Sequence, residues 1–271
     1  MRRKTEELYT TLLPMRVVSF DDIVQSTSKI TATSVNRRYV YRKYVKRLVE
    51  TGKLQPIRKG LYAVLSPFEK PEKHETDKLL IASKIRKEYY LGFHTALECY
   101  GSAYSTFNEA YVCVQAKDRF DPFHYGRFTF KPIFTKDTVS YIAEKPYGPS
   151  IIKVSGKERT FIECIDRVEY AGGWEECIKS LAELSGINFE KLVALTFNQR
   201  KQILFRQVGY FLEYLRNTSP FYEHISQDLL EKLKKQVKGS PQYLVRGKPG
   251  ELNARWRLYI PEDLEEKLKE I

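Results

Sequence analysis

The sequence predicts an α+β chain, and three observations carry that reading. Apolar residues recur at helical spacing over the first fifty residues and again from Lys157 onward. Between those regions lie short apolar or alternating runs at 110–114, 127–134 and 150–154, with the patterning of strands. Positive charge is crowded at one end: through Tyr62, 14 lysines and arginines stand against 5 acidic residues, a net of +9 out of the chain's +12.

The N-terminal elements follow in order. Residues 2–13 suit a first helix, with Leu8, Leu12 and Leu13 on one face and Pro14 ending it. A short apolar stretch, Arg16-Val17-Val18, comes next. Ser19, with Asp22 three residues on, has the spacing of a capping box and opens a second, short helix containing Phe20, Ile23 and Val24. The Ser-, Thr- and Lys-rich segment 25–30 reads as a turn. Thr33 or Ser34 then caps a third helix running to Thr51, with Tyr41, Val45, Leu48 and Val49 on its apolar face and Gly52 past its end. Two short extended pieces flank a turn at Arg58-Lys59-Gly60, where Gly60 can supply a positive φ. Helix, helix, long basic helix and basic-tipped hairpin, over residues 1–65, is the layout of a winged helix-turn-helix.

Beyond it, residues 66–75 carry two prolines and mixed charge and read as a linker. Residues 76–271 then form one mixed α/β domain that ends in a mostly helical part. Helices are expected at 76–89, 92–100, 157–167, 173–185, 188–195, 198–216 and 223–237. Strands are expected at 242–245 and 256–260, with a final charged helix at 261–271.

Composition narrows the function classes. No apolar run approaches the roughly 20 residues of a membrane span, and the N-terminus lacks the apolar segment of a secretory signal, so a cytoplasmic protein is expected. Cys99, Cys113, Cys164 and Cys177 form no C-x-x-C pair and read as four reduced, mostly buried thiols. A basic block at one end is the footprint of a polyanion-binding surface. A membrane-surface helix would need a broad exposed apolar face, and the apolar positions here are used in packing. Double-stranded DNA is the expected partner.

On that reading the third helix lies in the major groove and presents Ser34, Asn36, Arg37, Arg38 and Tyr41 to base edges. Arginine can pair bidentately with guanine, and asparagine with adenine. Arg42, Lys43, Lys46 and Arg47, further along, would meet phosphates. Arg58 and Lys59 at the hairpin tip would reach the backbone or the minor groove.

A family resemblance joins these readings. The segment 48–54 (LVETGKL), followed by 57–62 (IRKGLY), resembles the wing region of the AbiEi-type antitoxin and transcriptional regulator family. Gly92-Phe93-His94-Thr95-Ala96-Leu97-Glu98 with Gly101 is similar to the helix that opens that family's second domain. Glu158-Arg159-Thr160, with Asp166-Arg167 and Gly172-Gly173, resembles its "ERT…D…GG" segment. The resemblance covers about residues 1–215 and leaves the tail outside. It implies a repressor that binds an operator upstream of its own operon. It also implies an antitoxin whose C-terminal domain counters a nucleotidyltransferase-like toxin, with or without direct binding.

The alternative is a nucleic-acid-processing enzyme delivered by the same N-terminal unit. His94 and Glu98 stand four apart on one helix, but no third ligand can be placed, and a histidine satisfied by a carboxylate is the simpler reading. Glu158, Arg159, Glu163 and Asp166 lie at helical spacing, and Glu158 or Arg159 can serve to tie the strand-to-helix junction to neighbouring backbone. Gln115-x-Lys117 after an apolar strand is similar to half of a metal-dependent nuclease site, with only Glu109 nearby as an acid. The chain has no P-loop, no Rossmann glycine pattern and no G-x-S-x-G. A non-enzyme without cofactor or metal is expected.

Overall fold

The computed structural model describes residues 2–269 except 71 and 73. The chain is mixed α and β, as expected, and its described residues fall into two discontinuous units. The first takes the residues up to Leu91 with Asn108–Thr138 and Glu144–Lys153. The second takes Gly92–Phe107, Val139–Ala143 and the residues from Val154 on. The division does not fall at a linker over 66–75, because the strands that complete the first unit come from later sequence. Within that segment Glu69 is pinned: it accepts from Arg16 at 2.5 Å and from the Ser66 amide at 2.7 Å. The Arg16 hydrogen bond, reinforced by the Ser66 amide, holds the Glu69 carboxyl down to about 2. Pro71 and Lys73 of the segment lie outside the described residues.

The N-terminal part of the first unit begins with α1 (Arg2–Leu12), β1 (Val17–Ser19) and α2 (Phe20–Thr31). The Ser19–Asp22 capping box forms in both directions. The turn expected at 25–30 is instead the second half of α2. Its hydroxyls bond back along the helix, Thr27 to the Ile23 carbonyl at 2.7 Å and Thr31 to the Thr27 carbonyl at 2.9 Å, so the polar side chains are satisfied without leaving it.

The basic helix runs over residues 37–50 as α3 (Arg37–Val40), a π-helical stretch (Tyr41–Val45) and α4 (Lys46–Glu50). The wider π turn shifts the faces. Val40, Tyr44, Val45 and Leu48 point into the core, whereas Tyr41, expected on the apolar face, is 44% exposed. Strands β2 (Leu54–Arg58) and β3 (Leu61–Val64) form the hairpin, and β1 adds antiparallel to β3, giving the order β1-β3-β2. Pro56 sits on the edge strand, where its missing N–H breaks no ladder. Gly60 adopts φ +79° at the turn, and its carbonyl accepts the Phe20 amide at 2.7 Å, tying the hairpin to the start of α2. Leu8, Leu12, Val18, Ile23, Val40, Tyr44, Leu48 and Val64 make the small core between these elements.

The rest of the first unit is α5 (Lys78–Lys84), shorter than the helix expected over 76–89, and most of a six-stranded mixed sheet. Its order is β6-β7-β5-β4-β9-β8, with β4 (Tyr90–Leu91), β5 (Glu109–Val114), β6 (Phe123–Tyr125), β7 (Phe128–Phe134), β8 (Ile142–Tyr147) and β9 (Ser150–Ser155). Strands β5 and β7 run parallel, and β4 and β6 pair antiparallel to them. β6 and β8 had no clear sequence signal, being short or exposed on both faces.

The second unit is mostly helical: α6 (Phe93–Tyr100), α7 (Lys157–Asp166), α8 (Trp174–Ala182), α9 (Phe189–Gln199), α10 (Gln202–Thr218) and α11 (Gln227–Lys234). Then β10 (Gln242–Tyr243), β11 (Glu251–Asn253) and β12 (Leu258–Ile260) make a small sheet with β12 central, and α12 (Glu262–Lys269) follows. Residues 270 and 271 of the expected last helix lie outside the described residues. Trp256 is fully buried against Gly209 of α10, and its indole N–H donates to Glu213 at 2.6 Å. Arg206, 1% exposed, donates to the Lys238 and Ser240 carbonyls and to Gln242, anchoring the approach to β10. Among the described residues, no helix is long and apolar enough to cross a membrane.

Candidate nucleic-acid interface

The exposed side of the basic helix begins at its cap. Asn36, rather than Thr33 or Ser34, is the N-cap, and its Oδ1 accepts the Arg38 and Tyr39 amides at 2.8 and 3.3 Å. That corrects its expected role: with Oδ1 used by the cap, Asn36 cannot both accept from and donate to an adenine edge. Ser34 is exposed in the segment before the cap. Arg37 is exposed but held, 2.6 Å from Asp21 and 4.8 Å over the Phe20 ring. Asp21 also meets Lys87 at 3.1 Å, and hydrogen bonds from Arg37 and then Lys87 keep its carboxyl below the ordinary value.

Arg38, Tyr41, Arg42 and Lys46 are exposed, and Lys43 and Arg47 are half-buried. Lys43 donates to the Tyr39 hydroxyl, a residue the sequence reading passed over, and lies 4.6 Å over that ring. The hydrogen bond it donates to Tyr39 raises the Lys43 ammonium above its ordinary value. Arg38, Arg42 and Lys46 make no ion pair among the described residues, so their charge faces solvent.

At the hairpin only Lys59 stands out as a tip cation. Arg58 is a correction. The ladder slips between Pro56 and Arg58, and such a bulge re-aims a side chain. Its guanidinium lies 4.5 Å over Phe123 and 5.7 Å over Phe120, while Arg86 covers Phe120 at 5.4 Å. Burial first, and then the neighbouring Arg86, pull the Arg58 guanidinium below its ordinary value against an opposing Asp121. Arg86 is itself fixed by donating to the Asp118 and Arg119 carbonyls, both at 2.7 Å.

These residues meet around one groove of about 630 Å³. Its cations are Arg37, Arg38, Arg58, Lys59, Lys84 and Arg86, its one acid is Asp21, and Phe20, Tyr41, Leu61, Tyr62 and Ile85 give it an apolar floor. Arg42, Lys43, Lys46 and Arg47 do not line it. Lys84 and Arg86 were missed by sequence reasoning, since nothing local marks a cation at the end of α5 as facing a hairpin twenty residues earlier.

The residues weighed for catalysis are engaged in structure. His94 is fully buried, stacks on Phe107 at 3.7 Å and meets Glu176 at 3.0 Å, with Glu98 at 3.6 Å. Glu158 accepts the Asn188 amide at 2.9 Å and pairs with Lys191 at 2.9 Å. Arg159 binds Glu163 and donates to the Ser140 carbonyl, both at 2.7 Å, and Asp166 pairs with Lys201. Glu109 binds Tyr111 and Lys131 at the opposite end of β5 from Gln115, and Lys117 is exposed. Cys113, Cys164 and Cys177 are buried free thiols, and Cys99 is half-buried. Among the described residues no group of three or more His, Cys, Asp or Glu side chains is placed to hold a metal ion.

No family model matches the chain. No curated protein matches it either. Among solved structures it is similar to the crystal structure of the RV2827C protein from Mycobacterium tuberculosis, at a TM-score of 0.62 and 15% identity, over 94% of this chain and 90% of that one. At that identity the likeness is one of fold alone.

Proposed function

We propose that residues 1–65 are a winged helix-turn-helix that binds duplex DNA, and that the protein acts as a cytoplasmic repressor of its own operon. The observation that carries this is the collection of Arg38, Tyr41, Arg42 and Lys46, all exposed, on a helix whose opposite face packs the small core. The helix follows α2 as the second helix of a helix-turn-helix does, and the hairpin with its third strand β1 supplies the wing. Arg38 is the residue most available to base edges. Arg42 and Lys46 would carry phosphate contacts, which add affinity without sequence information. The resemblance to the AbiEi-type family supports a further part of the proposal, that the second unit opposes a nucleotidyltransferase-like toxin.

The test is fluorescence anisotropy of the full chain with a labelled duplex from upstream of its own gene and with a scrambled duplex, at several salt concentrations. Specific binding should exceed non-specific binding by about a thousandfold or more, and affinity should fall steeply with salt. Equal, salt-insensitive affinity for both duplexes would overturn the proposal. The toxin part is tested separately, by whether the chain relieves the growth arrest caused by a nucleotidyltransferase encoded beside it.

A further inference from the structure

The groove described above has features that a flat phosphate-contacting surface does not need. Its floor is apolar and aromatic, built from Phe20, Tyr41 and Tyr62, with Tyr41 edge-on to Phe20 at 6.2 Å. Its volume, about 630 Å³, is in the range of small-ligand sites. Its lining comes from four places: the start of α2, the basic helix, the hairpin and the end of α5. Arginines dominate the rim, and their planar forks match phosphate oxygens.

Arg58 is the informative residue. It lines the groove, and its Nη1 is buried without a hydrogen-bond partner among the described residues. A charged donor left unpaired away from water is costly. The cation nearest to it in effect is Arg86, already committed to three carbonyls. The acid on the rim, Asp21, is shared between Arg37 and Lys87. An anion in the groove would offset the crowding of like charge among Arg38, Arg58, Lys59 and Arg86, while a ring could lie on the tyrosine and phenylalanine floor.

We propose that this groove binds a small phosphorylated aromatic ligand of nucleoside monophosphate size, its phosphate held by Arg58 and Arg38 and its ring on Phe20, Tyr41 and Tyr62. Because Arg38 and Tyr41 also belong to the proposed DNA-contacting face, the bound ligand excludes duplex; that regulatory consequence rests on the DNA reading, whereas the binding itself does not.

The experiment is isothermal titration calorimetry of the full chain, free of nucleic acid, with AMP, CMP, GMP and UMP, and in separate arms with inorganic phosphate and with each nucleoside. At least one monophosphate should bind about tenfold or more tighter than phosphate alone or its nucleoside alone. Tyr41→Ala and Arg38→Glu, both at exposed positions, should each weaken it by about tenfold, while Lys201→Ala in the second unit leaves it unchanged. Arg58→Gln should weaken it too, and is read against its melting curve because Arg58 also packs on Phe123. Four monophosphates that bind no tighter than inorganic phosphate, or full affinity in both Tyr41→Ala and Arg38→Glu, would overturn the site. A duplex titration with and without the bound monophosphate reads the second half. An unchanged duplex affinity overturns the exclusion, and nucleotide binding without any duplex binding keeps the site and removes the DNA reading.

Discussion

The guanidinium of Arg58 lies 4.5 Å above the ring of Phe123, so a residue from the tip of the N-terminal hairpin is packed on the edge strand of the larger sheet. Two adjacent cations of the same turn are thereby given different work. Arg58 → Ala should lower stability by about 1–2 kcal/mol through lost packing and cation–π contact. Lys59→Ala, at an exposed tip, should change stability by about 0.5 kcal/mol or less and reduce the slope of DNA affinity against salt by about one unit. Thermal melts and salt titrations on the two variants check the split; equal effects of both on stability would show that Arg58 is not the brace.

Asp21 holds Arg37 at 2.6 Å and Lys87 at 3.1 Å beside the start of the basic helix. Replacing it with asparagine removes one negative charge from the face proposed to meet DNA. Asp21→Asn should tighten non-specific duplex binding by about two- to tenfold at low salt and have little effect at high salt. Anisotropy with a scrambled duplex measures this. Weaker binding would mean that the ion pair positions Arg37 productively.

These two pairs also mark what was legible in the sequence. The order of the N-terminal elements, the capping box at Ser19 and Asp22 and the glycine at position 60 are local, and local rules find them. The cap at Asn36 was missed because Thr33, Ser34 and Asn36 are all good caps, and only the path of the backbone chooses among them. Tyr41 was counted on the apolar face as well as among the base-facing residues because period counting assumes an unbroken α-helix, and the π turn at Tyr41–Val45 breaks the count. Arg58, Lys84 and Arg86 could not be grouped from sequence, since their meeting depends on contacts between distant segments.

In the second unit, the buried pair of His94 and Glu176 closes a network with the Ser105 amide, 2.9 Å from the same carboxylate oxygen. Burial alone would raise the Glu176 carboxyl, but the Ser105 amide and His94 outweigh it and leave it below the ordinary 4.5. Its contribution to stability is therefore fully present above about pH 4.5 and is lost as the pH falls through the lower folded value. Glu176→Gln should cost about 2–4 kcal/mol at neutral pH. The gap from wild type should narrow below pH 4.5 in denaturant melts. A gap that stays constant down that range would show that the carboxylate's charge is not what the network uses.

Gly209 lies in the middle of α10 directly beneath the Trp256 ring, and a Cβ there would overlap the indole. Gly209→Ala, normally helix-stabilising, should here cost about 3 kcal/mol or more by displacing a fully buried tryptophan. A loss of the buried-tryptophan fluorescence signature alongside the lower melting temperature would confirm the cause. A stabilised variant would contradict the packing.

Trp256, Leu258 and Ile260 fill the same interior as Phe161 and Leu181, residues made 75 to 99 positions earlier. The first unit has a similar debt to later sequence, since it needs strands at 109–114 and 128–134. A chain emerging from the ribosome therefore carries its small N-terminal core ahead of the sheet beside it, and it keeps the helical interior open to solvent until residue 260 has been made.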